Sequence, residues 1–198
     1  MGRLYWATCL REHRPMIAPQ PLSPPAQARA RQITLLCLDV DGVLTDGTLI
    51  YTADGQEAKG FNTQDGAALK LAQRLGFTLA IITGRESPMV TRRAQELGIE
   101  LCYQGSEAKD EVLARLVADS GTPREAIAHM GDDLADLKVM RQVGLALAPR
   151  NAHPVVAAYA DLITEAPGGQ GAVREAVEAL LVAQDRWADA LAPYLETP

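Results

Sequence analysis

Leu35-Leu36-Cys37-Leu38-Asp39-Val40-Asp41-Gly42-Val43-Leu44-Thr45-Asp46-Gly47 is the stretch whose reading decides the fold. An apolar run from Ile33 to Leu38 stops at two carboxylates spaced i, i+2. A short apolar run bounded by polar residues reads as a buried strand. In an extended segment, i and i+2 point the same way, so Asp39 and Asp41 share one cleft. Open α/β sheets bind their ligands beyond the carboxyl ends of such strands. Two carboxylates held that close call for a cation or a proton between them. The plain alternative is a strand end followed by an ordinary Asp-Gly turn.

Outward from this stretch, strands and helices alternate. Thr48–Thr52 and the run up to Phe61 have β character about the turn Ala53-Asp54-Gly55-Gln56, predicting a hairpin. Asn62-Thr63-Gln64-Asp65-Gly66 leads into a predicted helix from Ala67 to Leu75, closed by Gly76. Phe77–Ile82 reads as a strand ending in Thr83-Gly84-Arg85, and Ser87 or Pro88 to Leu97 as a helix stopped by Gly98. Ile99–Tyr103, Ala126–Met130, Gly144–Ala148 and Asp161–Thr164 read as further strands. Helices are predicted over Ala108–Asp119 and Ala135–Gln142, with a closing one from Ala172. Alternation of this kind predicts a doubly wound parallel sheet with helices on both faces. Parallel strands then bring Asp39/Asp41, Thr83-Gly84-Arg85 and Gly131-Asp132-Asp133 to one edge. Lys109, at a helix start, adds a cation there.

The net charge of −6 argues against nucleic acid and anionic membranes as partners. Cys37 and Cys102 lie in apolar runs and read as core thiols, which suits a reducing, cytoplasmic compartment. No apolar run reaches membrane-spanning length. The prolines at 15, 19, 21, 24 and 25 predict an irregular extension over residues 1–32, with one domain over 33–184 and a tail over 185–198.

The order D-x-D-G, apolar-T-G-R, Lys, G-D-D resembles the haloacid dehalogenase superfamily of Mg²⁺-dependent phosphatases. The resemblance implies Asp39 as nucleophile and Asp41 as general acid and base. It implies that Asp39, the Asp41 carbonyl and Asp132 hold Mg²⁺, with Asp133 and Asp136 supporting the metal's waters. Thr83 would hold phosphoryl oxygens, and Lys109 would neutralise charge between nucleophile and phosphate. Forty-three residues separate Asp39 from Thr83 and 22 separate Lys109 from Asp132, too few in either gap for a cap domain. A neighbouring subunit is the economical roof for an open site, and the apolar hairpin suits pairing between subunits.

The longer motifs D-V-D-G-V-L-T-D-G, F-N-T-Q-D-G, I-I-T-G-R, Y-Q-G, G-D-D-L, A-H-P and G-G-Q-G-A-V-R-E resemble the 3-deoxy-D-manno-octulosonate 8-phosphate phosphatase family, over residues 33–184. That resemblance implies a homotetramer acting on a small phosphorylated sugar acid in lipopolysaccharide biosynthesis, its tail able to close over a neighbour's site. It places substrate contacts at Asn62, Thr63, Gln64, Asp65, Gly66, Lys70, Arg85 and Arg93, with the two arginines suited to the sugar carboxylate. Gln64 stands where many relatives are basic, and Ala68 where they carry a second glycine. A nine-carbon 2-keto-3-deoxy acid 9-phosphate is the alternative substrate. A non-catalytic phospho-acceptor or binding module is the alternative of a different class.

Overall fold

The computed structural model describes residues 22–195. In chain order the elements are α1 (Pro24–Ala30), β1 (Leu35–Leu38), β2 (Ile50–Tyr51), β3 (Glu57–Ala58), α2 (Thr63–Arg74), β4 (Thr78–Ile82), α3 (Pro88–Leu97) and β5 (Leu101–Tyr103). They continue with α4 (Lys109–Ser120), β6 (Ile127–Met130), α5 (Leu137–Met140), β7 (Leu145–Ala148), α6 (Pro154–Tyr159), β8 (Leu162–Ile163), α7 (Ala172–Ala183) and α8 (Trp187–Leu195). The sheet runs β5-β4-β1-β6-β7-β8, and every pairing in it is parallel. This is the doubly wound α/β architecture the alternation predicted.

The chain winds outward from β1 through β4 to β5, then crosses back to β6 on the other side of β1. The direction of winding therefore reverses between β1 and β6, which leaves a crevice at their carboxyl ends. Asp39 N donates to the Met130 carbonyl across that crevice at 3.0 Å.

β1 is buried on both faces, as its continuous apolar run required. Leu36 and Leu38 join the larger core, which also takes Leu69, Val90, Val177 and Leu180. Leu35 and Cys37 alternate to the other face, with Leu113, Leu116, Ile127 and Val139. Asp39 continues the parity of Leu35 and Cys37, so it faces the side where α4 begins and meets Lys109 there, whereas Asp41 already lies in the turn after β1. Burial pushes the Cys37 thiol far up, in keeping with an inert core thiol.

Two expectations change. The irregular extension does not reach residue 32, because Pro24–Ala30 is helical and buries Ala26 and Ala30. Pro24 and Pro25 occupy the first turn, where a missing N–H costs nothing. The expectation for residues 1–21 lies outside the described residues. α2 begins at Thr63 rather than Ala67, because the Asn62 side chain accepts from Gln64 N and Asp65 N at 2.7 and 3.4 Å. The tail is helical through Leu195 and packs on its own chain. Ala190 is buried, and Tyr194 Oη accepts from Arg74 Nη2 at 2.6 Å. α6 was not anticipated; Pro154 opens it, with His153 as its cap.

Candidate active site

Gly42 turns the chain directly behind the acid pair, at φ +91°. Its lack of a side chain also admits a neighbour: a Cβ there would lie 2.0 Å from Asp132 Oδ2. The loop after β1 is held from behind by the Gly168-Gly169 segment. Gly169 N donates to the Val43 carbonyl at 2.9 Å. A Cβ on Gly168 would lie 1.7 Å from the Gly42 carbonyl oxygen. The G-G-Q-G motif thus buttresses the acid loop by close backbone packing.

Asp39 is 6% exposed and Lys109 4%. Lys109 Nζ, delivered by the first residue of α4, lies 3.0 Å from Asp39 Oδ1 and 2.7 Å from Asp136 Oδ1. Burial works against the ammonium, yet Asp39 and Asp136 outweigh it and hold Lys109 above its ordinary value. Burial, reinforced by the Asp136 charge, pushes Asp39 up to about 6. Burial, then the charges of Asp39, Asp136 and Asp133, push Asp132 up to about 7. Asp39 Oδ1 and Asp132 Oδ1 are both buried and receive no hydrogen bond among the described residues, the Lys109 contact to Asp39 being an ion pair without hydrogen-bond alignment.

Ligand oxygens of Asp39, Asp132 and Asp136 lie within 4.8 Å of one another. Hard oxygen donors in a crowded anionic cluster, two of them without donors, fit Mg²⁺. Asp136 differs from the other two. Its Oδ1 accepts from Lys109 Nζ and contacts His129 Nε2 at 3.1 Å, and its Oδ2 accepts from the Asp132 and Asp133 amides at 3.1 and 3.2 Å. Burial would raise Asp136, but the His129 hydrogen bond and the Lys109 charge hold it well below the usual range.

Thr83 is buried at the end of β4, beside β1. Asp41 is met by two cations. Lys59 Nζ pairs with its Oδ1, and Arg85 Nε lies 3.8 Å from Oδ2. The β2–β3 hairpin organises this contact. Tyr51 and Glu57 are cross-strand partners, and both reach Arg85 Nη2, at 3.4 and 3.3 Å. Glu57 also lies 3.2 Å from Lys59.

The remaining expected contacts divide. Thr63, Gln64 and Lys70 are exposed along α2. Asp65 does not face the cleft openly: its oxygens accept from Gly171 N at 3.3 Å and Arg174 N at 2.8 Å, pinning the start of α7. Asn62 is the cap of α2, and its Nδ2 donates to the Gly169 carbonyl at 3.3 Å. Arg93 donates to the Asn62 carbonyl at 3.2 Å and covers Gly66, where a Cβ would meet its guanidinium at 2.3 Å. Asp133 is exposed, and its Oδ1 accepts from Leu134 N at 2.7 Å, capping the turn beside the acid cluster. Lys59 and His129 were not anticipated. A histidine inside the apolar run of β6 is a signal in the sequence, whereas Lys59 reaches Asp41 only because the hairpin folds back.

An acid pair, a threonine, a lysine and a G-D-D turn at the switch point of a doubly wound sheet define a haloacid dehalogenase-like hydrolase, and a profile of that description matches residues 104–175. The chain is 42% identical over 166 residues to the 3-deoxy-D-manno-octulosonate 8-phosphate phosphatase of Salmonella typhimurium, spanning 84% of this chain and 88% of that one. The enzyme of that name from Moraxella catarrhalis, solved with magnesium, phosphate and KDO, matches with TM-score 0.83 at 42% identity, over 85% of this chain and 97% of that one. The Yersinia pestis structure matches with TM-score 0.81 at 40% identity, over 83% and 89%. The chain belongs to the 3-deoxy-D-manno-octulosonate 8-phosphate phosphatase family.

Proposed function

We propose that this chain is a phosphomonoester hydrolase that cleaves 3-deoxy-D-manno-octulosonate 8-phosphate to the free sugar acid and phosphate, a step of lipopolysaccharide biosynthesis. The observation that carries the proposal is the close Asp39–Asp132 pair, with Lys109 against Asp39, in a chain 42% identical to phosphatases of that name. Asp39 attacks phosphorus as the sugar alkoxide departs, giving an aspartyl phosphate. Asp41 supplies the proton that the alkoxide takes up, then removes one from the water that attacks the same phosphorus. The second displacement frees phosphate and restores Asp39. Asp39, the Asp41 carbonyl and Asp132 would hold Mg²⁺, which supplies positive charge against the phosphoryl oxygens. Lys109 offsets charge between Asp39 and the phosphoryl group, and Thr83 holds a phosphoryl oxygen. Asp136 supports this set from behind, as does the turn that Asp133 caps.

Arg85, half exposed at the cleft mouth, is the carboxylate clamp we favour. Exposed Thr63, Gln64 and Lys70 complete the sugar side, while Asn62, Asp65, Gly66 and Arg93 shape it from beneath. We further infer a cytoplasmic homotetramer. Leu49, Ile50 and Tyr51 of the hairpin are 42%, 49% and 61% exposed, an apolar run suited to pairing with other copies. Among the described residues no helix is long and apolar enough to cross a membrane.

The test compares kcat/KM for the eight-carbon acid 8-phosphate and the nine-carbon acid 9-phosphate under the same Mg²⁺ concentration. We expect the eight-carbon substrate to be preferred and EDTA to silence both reactions. A nine-carbon preference overturns the substrate. Full turnover in EDTA overturns the metal.

A further inference from the structure

His129 is fully buried in the middle of the sheet, on β6, and the chemistry proposed above makes no use of it. Its neighbours on the strand are Ala128 and Met130, both fully buried and apolar. Among the described residues the ring reaches one polar partner, Asp136 Oδ1, through Nε2 at 3.1 Å. Nδ1 is buried and has no hydrogen-bond partner among the described residues. A buried N–H without an acceptor costs the full desolvation of that group, so the ring's hydrogen belongs on Nε2, facing the carboxylate.

That hydrogen completes the environment of Asp136. Lys109 and His129 share Oδ1, and the two amides of the Asp132-Asp133 turn share Oδ2. A carboxylate offers about four lone-pair sites, and all four are then taken. The filled set fixes the carboxylate's rotation. One edge faces Lys109, which in turn contacts Asp39. The other edge holds the turn that aims Asp132. Gly131 is part of the same fit, since a Cβ there would lie 2.3 Å from Asp136 Cβ. Without His129, Oδ1 keeps only Lys109, and the carboxylate gains a rotation that carries the ammonium with it.

We propose that His129 is a positioning residue of the phosphatase site: its Nε2–H locks the Asp136 carboxylate, and so sets Lys109 against Asp39 and the Asp132 turn against the metal position. It touches neither substrate nor reacting atoms. The proposal rests on the phosphatase reading for its kinetic test alone, because the tautomer can be read without turnover.

The kinetic test uses His129→Phe, which fills the space without a donor, and His129→Gln, whose amide can donate from near the Nε2 position. With Mg²⁺ saturating, His129→Phe should lose about tenfold or more in kcat, the usual scale for removing a group that orients a metal-site neighbour. KM should stay within about twofold, since substrate contacts are untouched. His129→Gln should recover most of the lost kcat. Wild-type kcat in His129→Phe overturns the proposal, and so does equal impairment of both variants. A wild type without phosphatase activity would instead sink the function itself. Should the variants not fold, ¹⁵N spectra of histidine-labelled wild type decide the matter. The sequence has three histidines, so assignment is short. A buried ring protonated at Nε2 alone supports the proposal, and one carrying its hydrogen on Nδ1 overturns it.

Discussion

Asp39 and Asp132 are crowded into a state that a cation or a proton relieves, and this has a measurable sign. Their folded values of about 6 and about 7 stand above the ordinary 3.8. The metal-free folded chain therefore binds protons that the unfolded chain has released. Stability from these groups is present below the unfolded value and is lost as pH rises through about 6 to 7. Thermal denaturation of metal-free protein should show Tm falling from about pH 5 to about pH 8, with Mg²⁺ raising Tm far more at the upper pH. Asp132→Asn should raise the metal-free Tm at the upper pH, flatten the fall and abolish most of the Mg²⁺ effect, along with turnover. A metal-free Tm that climbs across this range would contradict the assignment of the pair. Both carboxylates were legible in the sequence as acids at strand ends. That they meet at one edge was legible too, from the parallel strand order; how closely they approach was not, because it depends on Gly42 leaving room for Asp132.

At the scale of elements, the site is built from loops that lean on one another. Asp65 joins α2 to the start of α7, Asn62 joins it to Gly169, and Gly169 holds the loop after β1. Gly168→Ala should therefore damage both stability and activity. Its Cβ would meet backbone at 1.7 Å, and backbone cannot give way as a long side chain can. Overpacking of this kind costs roughly 1–3 kcal/mol or more. Gly60→Ala, with nothing within 4 Å of its new Cβ, should leave Tm near the wild-type value. Urea denaturation of the two variants checks the contrast, and equal midpoints would mean the loop yields. The helix ends were partly legible. Ser87, Pro88 and Gly98 marked α3 correctly, because capping is local chemistry. Asn62 is also a cap, and α2 starts directly after it, four residues ahead of the predicted start at Ala67. Gly66 is kept small by Arg93 lying over it, a contact between helices that no local pattern reveals.

For the whole molecule, the single chain assigns the tail to its own core. Trp187 packs against the main cluster, Ala190 is buried, and Arg186 Nη2 donates to the Leu75 carbonyl. Truncation after Gln184 should then lower Tm in the isolated protein, by removing apolar burial worth about 1.5–3 kcal/mol for a large side chain. Unchanged Tm with altered kcat would favour a tail that works chiefly at a neighbouring site. Sedimentation of the same truncation separates loss of fold from loss of assembly, since the hairpin lies elsewhere in the chain.

The sequence by itself determined the doubly wound sheet, because a buried parallel strand needs an unbroken apolar run and its ligand edge needs polar residues where the run ends. It also determined which acids, which threonine and which lysine share that edge, through their order along alternating elements. Tertiary structure decided what those groups meet. Lys59 closes on Asp41, Asp65 pins the start of α7, and Asp136 gathers Lys109, His129 and a backbone turn around one carboxylate. These contacts join residues that are distant or differently phased in sequence. They are selected by burial and hydrogen-bond satisfaction in the packed interior, which local patterns do not encode.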